Sequence, residues 1–144
     1  DAMLSKVPWR ENGYKLFSVS SIALSSKGGF YSDLTESNCF TVSKETFRAL
    51  GGMDERFISR GGGLANLDFF KRVLLRDEVT PVMLLCEATF HQYHGGVATN
   101  VTRQEHPWSA FAEEYRLIRG EQYEPFWRPP VYFGEVAPEA RRLC

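Results

Sequence analysis

Apolar side chains recur every three or four residues in two stretches of the chain, and this spacing predicts two amphipathic helices. The first helix follows a run of three glycines, and Asn66 stands where its N-cap is expected. The second opens at Pro107 and ends at Gly120. The two predicted apolar faces hold Leu64, Leu67, Phe70, Val73 and Leu74, and Trp108, Phe111, Ala112, Tyr115 and Ile118. Trp108, Phe111 and Tyr115 are therefore expected to be core residues and not a surface for stacking sugars.

Three further segments complete the predicted elements. Residues 37–42, "SNCFTV", are rich in β-formers and predict a strand leading to Ser43, which would cap a short helix that stops at Gly51 and Gly52. Residues 82–86 are apolar on both alternating faces, which predicts a buried central strand. Residues 14–24 are expected to be extended, and the proline-rich tail from residue 123 to wrap over a surface without regular structure.

Composition limits the partners of the protein. The chain has 144 residues, 43% of them hydrophobic, which suits one compact core. Its 17 basic and 18 acidic residues nearly cancel, so binding to nucleic acid or to an anionic membrane is not expected. No apolar run is long enough to span a membrane, and three scattered cysteines favour a reducing, cytoplasmic location. The start at Asp1 indicates that upstream sequence has been removed.

Three stretches in order carry a family resemblance: "SNCFTVSKETFRALGGMDERF", "GGGLANLDFFKR" and, at the end of the next apolar run, "FHQYHGG". This order resembles the C-terminal, acceptor-side part of a GT-A glycosyltransferase of the family 2 type. Bacterial glycosyltransferase-like proteins with similar glycine and histidine motifs look closest, and polypeptide N-acetylgalactosaminyltransferases are more distantly similar. The resemblance implies an α/β fold, a partial GT-A fold in which a small mixed sheet has flanking helices.

The same resemblance implies that residues 1–144 form a single fragment, the acceptor-side half of one domain, whose N-terminal nucleotide-binding half is absent. The function implied is transfer of a sugar from a nucleotide-diphospho-sugar to an unknown acceptor, with self-association through the face left uncovered. In the family an acid at the start of the glycine-led helix serves the acceptor hydroxyl. Ala65 and Asn66 stand at those positions, so the implied catalytic residues are Asp68 and Asn66.

Ligand contacts are implied for three groups of residues. Glycine lets the backbone approach a ligand closely, and a helix start offers free N–H groups to a sugar or phosphate. The implied substrate-binding residues are Glu36, Ser37, Asn38, Gly61, Gly62, Gly63, Gly95 and Gly96. In the resembled enzymes a histidine near the strand end helps to hold a divalent cation, Mn²⁺ or Mg²⁺, which neutralises the leaving diphosphate. His94 is the first candidate and His91 the second, with further ligands outside this chain.

Two other functions fit parts of the pattern. A noncatalytic glycan- or nucleotide-binding relative is suggested because Ala65 replaces the expected acid. A metal-dependent hydrolase would use His91, His94, His106 and Glu87, although their spacing lacks the helical metal-binding arrangement of hydrolases. Asp54 and Glu55 are expected to be structural, holding a turn or pairing with Arg56 or Arg60.

Overall fold

The computed structural model describes residues 4–23, 26–33, 39–91, 96–98, 101–102 and 104–144. The chain divides into two compact units. One, the strand unit, comprises Asp1–Glu36, Thr80–Phe90 and Arg128–Cys144, and the other, the helix unit, comprises Ser37–Val79 and His91–Trp127. No helix within the described ranges is long and apolar enough to cross a membrane.

The strand unit contains a sheet of two parallel strands, β1 at Val82–Leu84 and β2 at Val131–Phe133. The described residues of this unit also form 3-10 helices at Leu4–Lys6, Gly13–Ser18 and Pro138–Leu143. Its buried core consists of Phe17, Phe30, Cys86 and Ala140. Helices and a small parallel sheet together agree with the α/β class expected from the sequence, although the strands that the structure describes form a purely parallel sheet and not a mixed one.

The helix unit holds three α-helices: α1 at Lys44–Ala49, α2 at Ala65–Leu74 and α3 at Trp108–Arg119. Both amphipathic helices predicted from the spacing of apolar residues are therefore confirmed. Ser43 caps α1 as predicted, since its side chain accepts a hydrogen bond from the backbone N–H of Thr46 at 3.0 Å. The end of α3 at Gly120 is also confirmed, because this glycine adopts the left-handed conformation, with φ of 76°. Phe57, Leu64, Phe111 and Tyr115 form the buried core of this unit.

Two details of the predicted helices are wrong. The N-cap of α2 is Leu64, and Asn66 lies one residue inside the helix, because the turn formed by the three glycines already brings the chain into the helix at Ala65. Trp108 is not a core residue: 47% of it is exposed. It is the first residue of α3, whereas Phe111 and Tyr115, further along the helix, are buried.

The strand predictions fail where a neighbouring strand is lacking. The described part of 37–42 is irregular, and Phe40 packs instead against Phe69 and Phe70 of α2, with ring centroids 6.0 and 5.1 Å away. The predicted central strand is confirmed only as the three residues of β1, and Val82 and Leu84 are 54% and 49% exposed. A buried strand needs elements over both faces, and an apolar sequence alone does not supply them.

Two further segments have a different secondary structure from the one predicted. Residues 14–24 were expected to be extended, but Gly13–Ser18 is a 3-10 helix whose cap, Asn12, accepts a hydrogen bond from the N–H of Tyr14. The tail forms β2 and a 3-10 helix, because its backbone finds hydrogen-bonding partners in residues far away in the sequence. Val131 N–H donates to Pro81 at 2.9 Å, and Phe133 accepts from Leu85 N–H at 2.8 Å.

Candidate functional site

The glycine turn, Gly61–Gly63, leads directly into α2. All three glycines have positive φ, between 53° and 87°, so the chain adopts here a conformation that side chains with a Cβ disfavour. Gly62 N–H donates to the carbonyl of Ser59 at 2.8 Å, and Ala65 N–H donates to the carbonyl of Gly62 at 3.1 Å. The backbone of the turn is thus tied to both the preceding loop and the start of the helix.

Glu114 of α3 fixes the loop before this turn. Its Oε1 accepts hydrogen bonds from the backbone N–H groups of Ile58 and Ser59, at 2.9 and 2.8 Å. Its Oε2 is buried and has no hydrogen-bond partner among the described residues, and it lies only 2.6 Å from where a Cβ on Gly63 would be. A glycine is required at position 63 for this close approach as well as for its φ.

Asp68, in the first turn of α2, is the only buried charged or polar residue in the described ranges, with 1% of its surface exposed. Arg119, at the end of α3, donates to both of its oxygens, each at 2.7 Å. Arg72, one turn further along α2, donates to Oδ2 at 2.8 Å. The carboxylate therefore joins two helices through bidentate and single charge-assisted hydrogen bonds.

The same two arginines hold the loop that follows α1. Arg72 donates to the carbonyls of Leu50 and Gly52, at 2.7 and 2.8 Å. Arg119 is also 2.8 Å from Oδ2 of Asp54, which pairs with Arg56 at 2.7 Å. Asp54, Asp68, Arg72 and Arg119 form one network, called here the aspartate–arginine cluster. The predicted structural role of Asp54 and its pairing with Arg56 are confirmed.

The aspartate–arginine cluster controls the protonation of its acids. Burial raises the pKa of Asp68, but hydrogen bonds from Arg119 and Arg72 outweigh burial and hold this pKa below its ordinary value. A hydrogen bond from Arg56 lowers the pKa of Asp54 still further. The hydrogen bond to Asp68 in turn raises the pKa of Arg119. Both aspartates are therefore ionised at neutral pH, and both have their oxygens occupied by arginine.

A depression of about 470 Å³ opens beside this cluster. Its walls are formed by the loop of residues 50–55 together with Arg72 and Arg119. The consecutive glycines of this loop, Gly51 and Gly52, both have positive φ, and their N–H groups donate to carbonyls of α1. The depression thus has a backbone rim held in place by two arginines.

The structure places the predicted site residues as follows. Asn66 is partly buried at the second position of α2, and Asp68 lies in the aspartate–arginine cluster. The glycine turn lies beside the segment that follows "FHQYHGG", because a Cβ on Gly61 would be 3.1 Å from the Cβ of Val97, the residue after Gly96. The glycine turn of the second resemblance stretch thus contacts the residue that follows the third stretch.

The other predicted residues either lie outside the described ranges or are not members of the aspartate–arginine cluster. Glu36, Ser37, Asn38, His94 and Gly95 lie outside the described residues. His91 is exposed, and Glu87 belongs to the strand unit, where Tyr14 donates to it at 3.2 Å. Within the part of the chain that the structure describes, no group of three or more His, Cys, Asp or Glu side chains is placed to hold a metal ion. The metal roles of His91 and His94 stay predictions.

No protein-family model matches this chain, and neither does any curated protein or any solved structure. The candidate site is therefore argued from geometry and from the order of its motifs.

Sequence reasoning missed three residues of this site: Arg72, Arg119 and Glu114. One signal was visible, because Asp68 and Arg72 are four residues apart on a predicted helix, the spacing of an ion pair. Arg119 and Glu114 had no such signal, since they are 51 to 65 residues from their partners along the chain.

Proposed function

We propose that this chain is the acceptor-side part of a GT-A-type glycosyltransferase, which transfers a sugar from a nucleotide-diphospho-sugar to a hydroxyl acceptor. One observation supports the proposal: the first two stretches of the family resemblance contact each other in the helix unit, and the residue that follows the third stretch contacts the second. The loop from "GGMDERF" is held by Arg72 and Arg119, and Asp68 of "GGGLANLD" binds both arginines. The segment after "HGG" packs against Gly61. Unrelated turns have no physical reason to share one site.

In this proposal the glycine turn and the first turn of α2 face the acceptor sugar. Asn66 donates and accepts hydrogen bonds with acceptor hydroxyls, and Gly61–Gly63 let the sugar approach the backbone closely. Glu36, Ser37, Asn38, Gly95 and Gly96 complete the substrate contacts. Asp68 has both oxygens bound by arginine, so in this arrangement it orients α2 and the loop of residues 50–55 and does not take the acceptor proton.

The donor side of the proposed reaction needs residues beyond this chain. His94 and His91 would contribute imidazole nitrogen to a divalent cation, Mn²⁺ or Mg²⁺, and the described residues alone do not offer three ligands. Such a cation neutralises charge on a leaving diphosphate. A cytoplasmic location and self-association also belong to this proposal.

Calorimetric titration of the chain with UDP, with and without Mn²⁺, tests the donor side. Binding that requires Mn²⁺ and weakens about tenfold or more in His94→Ala is expected, since a metal ligand is lost. His106→Ala is the matched control, because His106 packs between Trp108 and Phe111 in the helix unit and has no role in the proposed metal site. Binding that is independent of Mn²⁺, or weakened equally by both variants, would contradict the proposed metal role.

The occupied carboxylate of Asp68 favours a second candidate function, a noncatalytic glycan- or nucleotide-binding relative. Ala65 replaces the acid of the resembled family, and the pKa of Asp68 is held low by Arg119 and Arg72 after burial is overcome, which makes it a weak base. Joining the chain to the missing nucleotide-binding half and assaying release of UDP from UDP-sugars separates the two functions. Turnover that is lost in Asn66→Ala supports the transferase, and binding without turnover supports the noncatalytic relative.

A further inference from the structure

A cluster of aromatic rings lies at the start of α3, in which Trp108 is exposed and His106 and Tyr123 are partly buried. Trp108 is 47% exposed although it is the first residue of a helix in which Phe111 and Tyr115 are buried. Its ring is perpendicular to that of Tyr123, with centroids 6.3 Å apart, and it is 6.3 Å from the ring of His106. His106, Trp108 and Tyr123 are called here the aromatic ledge.

The aromatic ledge is fixed from below. The ring of Tyr123 meets that of the buried Tyr115 at 79°, with centroids 5.1 Å apart, and His106 meets the buried Phe111 at 81° and 6.1 Å. Trp108 thus adjoins two rings that themselves pack against buried rings of the core. A ring held in one position loses little conformational freedom when a ligand binds to it, which favours binding.

Polar groups border these rings. The Nζ of Lys71 is 5.7 Å from the Tyr123 centroid and 3.5 Å from Oε1 of Glu121. The imidazole ring of His106 also lies near the indole of Trp108. An open aromatic surface with charged and hydrogen-bonding groups at its margins suits a ligand that is apolar on one face and polar at its edges. A pyranose ring has this character, since its C–H face meets the negative face of an aromatic ring while its hydroxyls project outward.

The ledge also adjoins the proposed acceptor site. Tyr123 packs against the same core as Ala65 and Leu67, which belong to the first turn of α2. Lys71 lies one helical turn beyond Leu67. We propose that the aromatic ledge binds a saccharide by stacking on Trp108, and that it holds a sugar unit of the acceptor beside the start of α2. The part of this inference that concerns the acceptor rests on the proposed function, whereas saccharide binding does not.

The chain offers a matched control for this site. Trp127, also in the helix unit, is 43% exposed, close to the exposed fraction of Trp108. Trp9 is exposed as well, but the guanidinium of Arg10 lies 5.4 Å above its ring. Hydrophobic attraction of a sugar to any exposed indole would act at Trp127 as it does at Trp108. Selective binding at Trp108 requires the ledge.

The test is an NMR titration of the whole chain with cellotriose, chitotriose and maltotriose, observing the indole N–H signals of the three tryptophans. We expect the Trp108 signal to move with at least one of the three saccharides. Trp108→Ala should weaken binding about tenfold or more, Trp108→Phe should retain part of it, and Trp127→Phe should leave it unchanged. The thermal unfolding midpoint of each variant shows whether the variant is still folded. Trp108→Phe keeps an aromatic ring at this position, so it tests the ledge even if Trp108→Ala does not fold.

The proposal is overturned if the Trp108 signal moves with none of these saccharides, or if Trp127→Phe weakens binding as much as Trp108→Ala. The UDP and Mn²⁺ titration separates this result from the proposed function. Nucleotide binding without saccharide binding would contradict the saccharide site at the ledge and would leave the proposed transferase function intact. Saccharide binding at Trp108 without nucleotide binding or turnover would support the saccharide site at the ledge and favour the noncatalytic binding function.

Discussion

At the scale of single residues, Asp68 is the one charged residue that is buried in the described ranges, and its hydrogen bonds link α2 to α3. A buried carboxylate is costly unless its oxygens are hydrogen-bonded, and here Arg72 and Arg119 meet that requirement. Because each arginine also binds the loop of residues 50–55, the position of that loop depends on the charge of Asp68. The same contacts make Asp68 a poor proton acceptor, so its structural and catalytic roles exclude one another in this arrangement.

Replacing Asp68 by asparagine should lower the free energy of unfolding by about 3 kcal/mol, because two partly buried arginines lose their anionic partner. Urea denaturation followed by circular dichroism measures this loss. Glu113→Gln is the control: Glu113 pairs with Arg116 within the same helix, but both side chains are about half exposed, so no measurable change is expected. Equal effects of the two substitutions would contradict the importance assigned to the buried network.

Acid should weaken the aspartate–arginine cluster. The folded-state pKa of Asp68 is below its ordinary value of 3.8, so the unfolded chain binds more protons as the pH falls toward and below that value. The stability that Asp68 contributes is present above pH 3.8 and is lost as the pH falls through the folded-state pKa. Between about pH 5 and pH 2, the unfolding free energy should therefore fall less steeply in Asp68→Asn than in the unmodified chain. Parallel pH profiles from urea titrations would refute this linkage.

At the scale of elements, α3 organises the loops that precede α2. Its Glu114 binds the backbone of Ile58 and Ser59, and its Arg119 binds Asp54 and Asp68. The glycine turn lies between these two attachments. Its conformation is therefore imposed from both sides, and the first turn of α2 is held where the proposed acceptor site requires it.

Two glycines of this turn differ in a way that substitution can measure. Gly62 and Gly63 both have positive φ, but a Cβ on Gly62 meets nothing within 4 Å, whereas one on Gly63 would be 2.6 Å from Oε2 of Glu114. Gly62→Ala should cost about 1 kcal/mol through backbone strain alone. Gly63→Ala should cost about 2 to 3 kcal/mol because Glu114 is held by its backbone hydrogen bonds and cannot move away freely.

A double substitution identifies the source of that difference. In a Glu114→Ala background the collision with the carboxylate is gone, while the contact with the Cβ of Ser59 at 3.2 Å remains, so adding Gly63→Ala should cost less than it does in the unmodified chain. Urea midpoints of the four variants provide the comparison. If Gly63→Ala is equally costly with and without Glu114, the close approach of the carboxylate is not what requires glycine at this position.

At the scale of the whole molecule, the described residues form a separate hydrophobic core in each of the two units. Cys86 lies in the core of the strand unit with Phe17 and Phe30, and its sulfur accepts a hydrogen bond from Ala137 N–H at 3.3 Å. The core of the helix unit is centred on Tyr115 and Leu64. Each unit collects its residues from separate parts of the chain, so neither core is visible as one continuous stretch of sequence.

Cysteine labelling should distinguish buried from exposed positions in this architecture. Cys39 and Cys144 are exposed, whereas Cys86 has 1% of its surface accessible. In the native protein Cys39 and Cys144 should react rapidly with Ellman's reagent, and Cys86 should react only as the strand unit opens. Peptide mass spectrometry after timed labelling assigns each thiol. Equal rates at all three cysteines would show that the core around Cys86 does not protect it.

The sequence by itself determined the parts of this protein that depend on local interactions. The apolar periodicity of α2 and α3, the cap at Ser43 and the left-handed stop at Gly120 follow from hydrogen bonds and packing between residues at most four positions apart. The glycines of the turn also indicated a special backbone, because glycine adopts positive φ without the steric penalty that a Cβ brings. These features were predictable without knowing what lies beside them.

Only the tertiary structure decided which segments became strands and what the charged groups do. β1 is a strand because β2 pairs with it, and the paired residues Val82 and Val131 are 49 positions apart in the sequence. Residues 39–42 have no such partner strand, and Phe40 packs against α2 instead. From the sequence alone, Asp68 could equally be an exposed charge in the first turn of a helix, and only the structure shows its contact with Arg119. Likewise, Trp108 could equally be a core residue, and only the structure shows that it is exposed. Long-range pairing and burial depend on how distant segments meet, and no local pattern encodes that.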